Sequence, residues 1–327
     1  MIVAYRLEDI PFEKNSVVTV GSFDGVHKAH QTLIQEVVER ARHRGGRSVV
    51  VTFDPHPKEV LSKDSESITL LSTLEERREL CAELGVGWFL VIRFTYEFSR
   101  QGFRDFFVRY LVEGIGVSEV VEGYDHHFGR DREGSIEELL KLGKEFQFSV
   151  VAMKPVYVGN EVVSSSSVRH LLTEGNVEKA SELLGRPYTL KGTVVRGDGR
   201  GRSLGFPTAN IELETPRKII PKNGIYFVEV QIGDNSYFGL SSVGVRPTFV
   251  NDGRRIVEVY VLDFDRDLYG AQMHVSFLSR LRDELKFDSA EALIKQMEKD
   301  KEVGERLRSE FTKIYKFSTN RSSVQNK

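Results

Sequence analysis

Val17-Val18-Thr19-Val20-Gly21-Ser22-Phe23-Asp24-Gly25-Val26-His27-Lys28-Ala29-His30 is the stretch whose reading decides the fold. Val17 to Val20 form a strand, and Gly21 and Gly25 bracket a turn. From about Ala29 to Arg42, Leu33, Ile34, Val37, Val38 and Ala41 then fall on one face of a helix. A strand that passes through a glycine turn into a helix begins an α/β unit whose ligands bind beyond the carboxyl ends of the strands. The helix start offers unpaired N–H groups and the positive end of its dipole, both favourable to phosphate. His27 and His30, three residues apart, can face the same way there. Their imidazole N–H groups suit the oxygens of a nucleotide triphosphate and the charge that develops as its α-phosphate is attacked. The plain alternative is a helix cap or a surface pair; the strand–glycine–helix context favours the phosphate reading.

The same rhythm continues outward. Ser48–Phe53, Trp88–Phe94, Ser118–Val121 and Phe148–Ala152 read as strands, with helices at about Leu74–Leu84, Phe103–Val112 and Ile136–Leu142. Ser135-Ile136-Glu137-Glu138 has the capping-box pattern. This alternation predicts a doubly wound, Rossmann-like parallel sheet. After Leu184 and the break Gly185-Arg186-Pro187 the rhythm changes. Tyr188–Val195, Ile225–Ile232, Tyr237–Val243, Arg255–Phe264 and Met273–Leu278 are strand-like, with Gly233-Asp234-Asn235 and Asn251-Asp252-Gly253 as turn material. They predict a small antiparallel β-barrel. A last helix opens at Asp288-Ser289-Ala290-Glu291, another capping-box pattern, and packs Ala290, Leu293, Ile294 and Met297 on the barrel. The expected domains are residues 1–185 and 186–316, with a polar, frayed tail at 317–327.

Composition narrows the class. The 46 Lys and Arg nearly cancel the 48 Asp and Glu, so no global field draws the chain to nucleic acid or an anionic membrane. The single cysteine, Cys81, excludes an internal disulfide and any multi-cysteine metal site, and beside Leu80 and Leu84 it reads as a buried, inert thiol. No run of about 18 apolar residues is present, and Met1–Asp9 lacks a secretory pattern. The expectation is a cytoplasmic protein of two domains; oligomeric state is not legible.

Three further segments carry candidate chemistry. Ser164-Ser165-Ser166-Ser167-Val168-Arg169, between Val162-Val163 and an apolar helix, offers caps, hydroxyls and a guanidinium for phosphate. Gly197-Asp198-Gly199-Arg200-Gly201-Arg202 is a glycine-rich loop able to bring backbone N–H groups close to phosphates. In Pro207-Thr208-Ala209-Asn210, the Thr208 hydroxyl and Asn210 carbonyl point the same way in an extended segment and suit Mg²⁺; the alternative is a turn stabilised by those side chains. Glu258, in Ile256-Val257-Glu258-Val259-Tyr260, is a surface carboxylate or a general base near bound Mg·ATP.

Gly21–His30 with Ser164–Arg169 resembles the nucleotidyltransferase superfamily, and more closely the adenylyltransferase module of bacterial bifunctional riboflavin kinase/FAD synthetases. Thr52-Phe53-Asp54-Pro55-His56-Pro57 and Gly123-Tyr124-Asp125-His126-His127-Phe128-Gly129 resemble that family's internal blocks. The segment Gly201–Asn210, Lys222-Asn223-Gly224-Ile225-Tyr226, Gly244-Val245-Arg246-Pro247-Thr248-Phe249 and Leu281–Phe287 resemble its riboflavin kinase barrel. Departures are Ala29 for Gly, Ser166 for Thr, His126-His127 for a Phe-Arg type pair, Ser242 for Asn and Tyr260 for His.

The resemblance implies phosphorylation of riboflavin to FMN and transfer of AMP from ATP to FMN, giving FAD and pyrophosphate. It implies Glu258, His27 and His30 as catalytic, with Thr208 and Asn210 on Mg²⁺. Nucleotide and phosphate contacts are implied at Gly21, Phe23, Asp24, Gly25, Ser164, Ser165 and Arg169, and in the barrel at Gly197, Gly199, Arg202 and Gly205. Flavin contacts are implied at Asp54, Pro55, His56, Asp125, Phe128 and Arg282. Riboflavin, FMN and ATP are the implied partners. The alternatives are a kinase with an inactive or altered adenylyltransferase module and a non-catalytic flavin binder.

Overall fold

The computed structural model describes residues 1–62, 69–123, 134–197, 201, 204–245 and 255–322, with residues 314–322 as backbone alone. The chain divides into two units, Met1–Val168 and Arg169–Lys327.

The first unit holds a six-stranded sheet, parallel throughout, in the order β1-β4-β3-β2-β5-β6. Its strands are β1 (Ile2–Ala4), β2 (Ser16–Val20), β3 (Arg47–Asp54), β4 (Trp88–Arg93), β5 (Val117–Gly123) and β6 (Ser149–Met153). Among the helices are α1 (Lys28–His43), α2 (Pro57–Leu61), α3 (Leu74–Glu83), α4 (Tyr96–Ser99), α5 (Phe103–Phe106) and α6 (Ile136–Phe146). Successive valines divide between two cores, because side chains alternate across a strand. Val17 and Val50 join Ile34, Val37 and Cys81, while Val18, Val20, Val49 and Val51 join Phe107, Leu111 and Leu139. Each buried valine contributes about 1.5–3 kcal/mol. Strands covered on both faces therefore read as continuous apolar runs. From β2 the order runs to β3 on one side and to β5 on the other, so the Gly21 turn sits at the topological switch point.

Two local readings change. The helix expected at Phe103–Val112 is a short α5 continued by a π-helix, Phe107–Ile115, that ends at Gly116 with φ 82°. Phe106 and Leu111, five residues apart, share one core, a spacing that a π turn aligns. Ser135 caps α6 by accepting from Glu138 N at 3.3 Å, but Glu138 turns its carboxylate to Lys141. The reciprocal capping box is instead Thr73 with Glu76, at 3.2 and 2.9 Å.

A short hairpin, β7 (Tyr157–Val158) and β8 (Glu161–Val162), precedes α7 (Ser165–Glu174), within which the division between units falls, and α8 (Val177–Leu184) follows. The second unit is a closed antiparallel barrel in the order β10-β13-β12-β11-β14-β9. Its strands are β9 (Tyr188–Val195), β10 (Ala209–Leu213), β11 (Gly224–Ile232), β12 (Asn235–Val245), β13 (Arg255–Val261) and β14 (Gln272–Arg282). Gly233, at φ 56°, and Asp234 make the two-residue turn between β11 and β12. Asn251-Asp252-Gly253 lies outside the described residues.

Along β13, Val257, Val259 and Val261 are buried, while Glu258 and Tyr260 are half-buried on the opposite face. The final helix, α9 (Ala290–Ser322), packs Leu307 and Phe311 on Phe227, Leu240 and Leu278. Its cap is Ser289, whose hydroxyl accepts from Ala292 N at 3.2 Å, and the helix runs on to Ser322, into the tail expected to fray from residue 317.

Candidate active sites

At the carboxyl end of β2 the chain turns in a conformation that few side chains tolerate. Phe23 (φ 47°) and Val26 (φ 38°) lie in the left-handed region, as does Gly25 (φ 84°). At Phe23 and Val26, which are not glycines, such a backbone costs about 1–3 kcal/mol per residue, and such strain clusters at ligand-binding loops. The turn is braced from behind. Asp24 is 1% exposed, and its carboxylate accepts from Leu71 N at 3.0 Å, Ser72 N at 2.9 Å and Ser72 Oγ at 3.0 Å. Ser72 Oγ accepts from Gly25 N at 2.6 Å, and Ser165 Oγ donates to Asp24 O at 2.9 Å.

His27 is the N-cap of α1, its Nδ1 accepting from His30 N at 3.3 Å. An Nδ1 that accepts leaves the ring proton on Nε2, so the neutral imidazole is a donor at its other nitrogen. The two imidazoles stack with centroids 3.6 Å apart, and Phe23 meets His30 edge-on at 5.3 Å. A cleft of about 200 Å³ is lined by Gly21, Phe23, His27, His30, Ser164 and Ser165. Lys154, just past β6, lines it too. Sequence reading missed Lys154; its signal was a cation at the carboxyl end of a parallel strand.

Ser164 and Ser167 cap the start of α7 reciprocally, at 3.1 and 3.0 Å. Arg169 follows Ser165 by one turn, as the first residue of the second unit. Asp54 ends β3 with a half-exposed side chain and a cis bond to Pro55, and buried His56 caps α2 by accepting from Lys58 N at 3.2 Å. This turn does not line the cleft around His27 and His30. Asp125 and Phe128, like His126 and His127, lie outside the described residues, as do Gly199 and Arg202.

In the barrel, Thr208 precedes β10 and Asn210 lies within it, opposite Glu258 of β13. Thr208 Oγ1 donates to Glu258 Oε2 at 3.2 Å. Gly197 leaves room for the Asn210 amide: a Cβ there would stand 2.1 Å from Asn210 Nδ2. Gly205 turns the chain at φ 84°. Two cavities share Thr208 as a lining residue. One, of about 370 Å³, contains Glu258 among Phe206, Leu240, Tyr260, Leu293 and Met297. The other, of about 690 Å³, is lined by Arg196, Arg266, Phe264 and Tyr269. Arg196 lies over the Tyr269 ring at 5.4 Å, and Arg266 over Phe264 at 5.2 Å.

Arg282 lines the apolar cavity, and Asp300 of α9 grips its guanidinium edge: Nε to Oδ1 at 2.9 Å, Nη2 to Oδ2 at 2.6 Å. Gln296 Nε2 donates to Asp300 Oδ1 at 2.9 Å. Arg196, Arg266 and Asp300 escaped sequence reading because single charges carry no pattern until the barrel brings them to a cavity.

Residues 9–167 match the family model described as FAD synthetase, and residues 184–307 match the one described as riboflavin kinase. A Listeria monocytogenes protein named bifunctional riboflavin kinase/FMN adenylyltransferase is 40% identical over 288 residues, 88% of this chain and 91% of that one. A Pseudomonas fluorescens protein of the same name is 38% identical over 283 residues, 86% of this chain and 90% of that one. A solved structure from Streptococcus pneumoniae, described as a macrolide-efflux protein, is similar with TM-score 0.84 and 34% identity, covering 93% of this chain and 98% of its own. Among the described residues, no helix is long and apolar enough to cross a membrane. With a parallel-sheet unit and a closed barrel each carrying its own constellation, the chain belongs to the bifunctional riboflavin kinase/FMN adenylyltransferase family.

Proposed function

We propose that the chain makes FAD from riboflavin in two steps, with residues 186–316 as the kinase and residues 1–185 as the adenylyltransferase. The observation that carries the kinase step is Thr208, touching Glu258 at 3.2 Å and lining both an apolar cavity and a cation-bearing one. An apolar cavity of this size suits an isoalloxazine ring, and cations beside aromatic rings suit a nucleotide. Glu258 accepts the proton of the terminal ribityl hydroxyl, whose oxygen attacks the γ-phosphorus of ATP; the P–O bond to ADP breaks and FMN forms. Arg282 contacts the flavin from a position held by Asp300. Gly197 and Gly205 keep side chains away from the nucleotide.

Hydroxyl and amide oxygens are hard donors, so Thr208 and Asn210 fit Mg²⁺, with phosphate oxygens and water completing its shell. Among the described residues, no group of three or more His, Cys, Asp or Glu offers an all-protein alternative. The ion would neutralise charge on the phosphates.

In the first unit, a phosphate oxygen of FMN attacks the α-phosphorus of a second ATP, and pyrophosphate leaves. His27, donating from Nε2, and His30 stabilise charge on the phosphates, Lys154 adds a cation, and Gly21, Phe23, Ser164 and Ser165 shape the cleft. Asp24 and Gly25 hold the strained turn in place, and the Asp54-Pro55-His56 turn receives the flavin. The test is product analysis after incubation with riboflavin or FMN plus Mg·ATP. Both FMN and FAD are expected from riboflavin, and FAD from FMN. FMN as sole product, with no FAD from supplied FMN, would leave only the kinase.

A further inference from the structure

Arg77 of α3 is 1% exposed, lines none of the cavities described above and belongs to no motif singled out in the sequence. Its Nη1 donates to Ser22 O at 2.8 Å, Thr52 Oγ1 at 3.0 Å and Phe53 O at 3.2 Å, and its Nη2 lies 3.5 Å from Asp54 Oδ1. Thr52 Oγ1 also donates to Ser22 O, at 3.3 Å. The register of β2 with β3 ends at Val20 and Val51. Beyond it, two chain segments diverge, one into the Gly21–Val26 turn and the other into Asp54-Pro55-His56, and the carbonyls there, buried at Phe53 and part-buried at Ser22, need new donors. The Arg77 guanidinium donates to both, joined at Ser22 O by Thr52 Oγ1, and takes over where the ladder stops.

A buried cation without compensation is costly. Burial pulls the Arg77 guanidinium below its ordinary pKa, while Asp24, Asp54 and Glu59 oppose that and help keep it charged. The resulting joint is stiff: Nη1 holds acceptors on both segments while Nη2 faces Asp54 Oδ1, two positions that one ammonium nitrogen cannot occupy together.

We propose that Arg77 is a positioning residue for adenylyl transfer, fixing the phosphate-binding turn after β2 against the flavin-side turn after β3. The inference rests on the adenylyltransferase reading of the first unit. Arg77 touches neither substrate; it sets the spacing between the loops that hold them. Removing it leaves each loop able to bind but lets the attacking and receiving phosphates drift apart, and a misplacement of about 1 Å can lower turnover by about 100-fold.

The test uses the full chain with Arg77→Lys and Arg77→Met, measuring kcat and KM for ATP and FMN in FAD formation, well below each variant's melting temperature. The expected result is a kcat loss of at least about tenfold for Arg77→Lys and more for Arg77→Met, with both KM values within about threefold of wild type. FMN formation in the second unit stays at the wild-type rate. Should Arg77→Met not fold, Arg77→Lys decides alone. A folded variant with undiminished kcat overturns the inference, as does one whose loss lies wholly in KM. A wild-type chain that makes no FAD from FMN overturns the functional reading and this inference together, whereas wild-type turnover with normal turnover in Arg77→Lys overturns the inference alone.

Discussion

Gly197→Ala offers a local perturbation of the barrel site. The added Cβ would lie 2.1 Å from Asn210 Nδ2, 2.6 Å from Cγ and 2.9 Å from Oδ1. Favourable contacts lie near 3.5 Å, so the amide must retreat by roughly 1.4 Å. It can do so by side-chain rotation, and the backbone at Gly197 lies outside the left-handed region, so alanine adds no φ strain. Lower entropy in the unfolded chain returns about 0.4–1 kcal/mol of stability. The substitution therefore moves a proposed metal and phosphate contact with little effect on the fold. A shift of more than 1 Å in such a group costs on the order of 100-fold in rate, or about 2.7 kcal/mol in the barrier. Steady-state FMN formation from riboflavin should fall by that factor, FAD formation from supplied FMN should be unchanged, and the melting temperature should move by only a few degrees. A folded Gly197→Ala chain that phosphorylates riboflavin at the wild-type rate would show that the amide is not where the chemistry needs it.

Glu258→Gln keeps the Thr208 contact but removes the base, so FMN formation should be abolished while FMN still becomes FAD; loss of both activities would refute the two-site assignment. His27→Ala should do the reverse, removing the Nε2 donor together with a cap worth about 1 kcal/mol, and a normal FAD yield would count against the role of His27. Glu122, fully buried in β5, has its carboxyl held well above the ordinary range by burial, although Val20 N donates to it at 3.0 Å. A folded pKa above the unfolded one means that the stability linked to this proton is complete below the unfolded value of 4.5 and is lost as pH rises through the folded pKa. Glu122→Gln, which retains an acceptor and needs no proton, should therefore raise the melting temperature at about pH 8 and much less at about pH 4. Equal shifts at the two pH values would show that the carboxyl does not titrate on unfolding.

The parallel sheet was legible because Val17–Val20 and Ser48–Phe53 are apolar on both faces, a pattern that local spacing carries in full. The barrel was legible through strands such as β9, read at Tyr188–Val195 and found there with burial alternating at every residue, but β10 was read only as an extended segment. That strand is five residues long and comes shortly after Pro207, so its pairing with β9 and β13 decides it rather than its own composition. The roles proposed for His27, His30, Thr208 and Asn210 rest on short-range spacing. Bracing groups did not: Asp24 reaches Leu71 and Ser72, Arg77 reaches Ser22 and Phe53, and Arg282 meets Asp300. Each is a charged residue whose meaning comes from partners tens of residues away, or on another element, and no local period marks it. Cys81 was read as inert, and burial pushes its thiol up to about 12, which keeps it protonated at ordinary pH.

The central claim is that one chain transfers two different parts of ATP to one flavin. Riboflavin incubated with ATP labelled at either the γ- or the α-phosphate tests it directly. The γ label should enter FMN and persist in FAD, while the α label should appear in FAD alone. Flavin products free of the α label, or FAD that carries the α label without the γ label when riboflavin is the only flavin supplied, would contradict it.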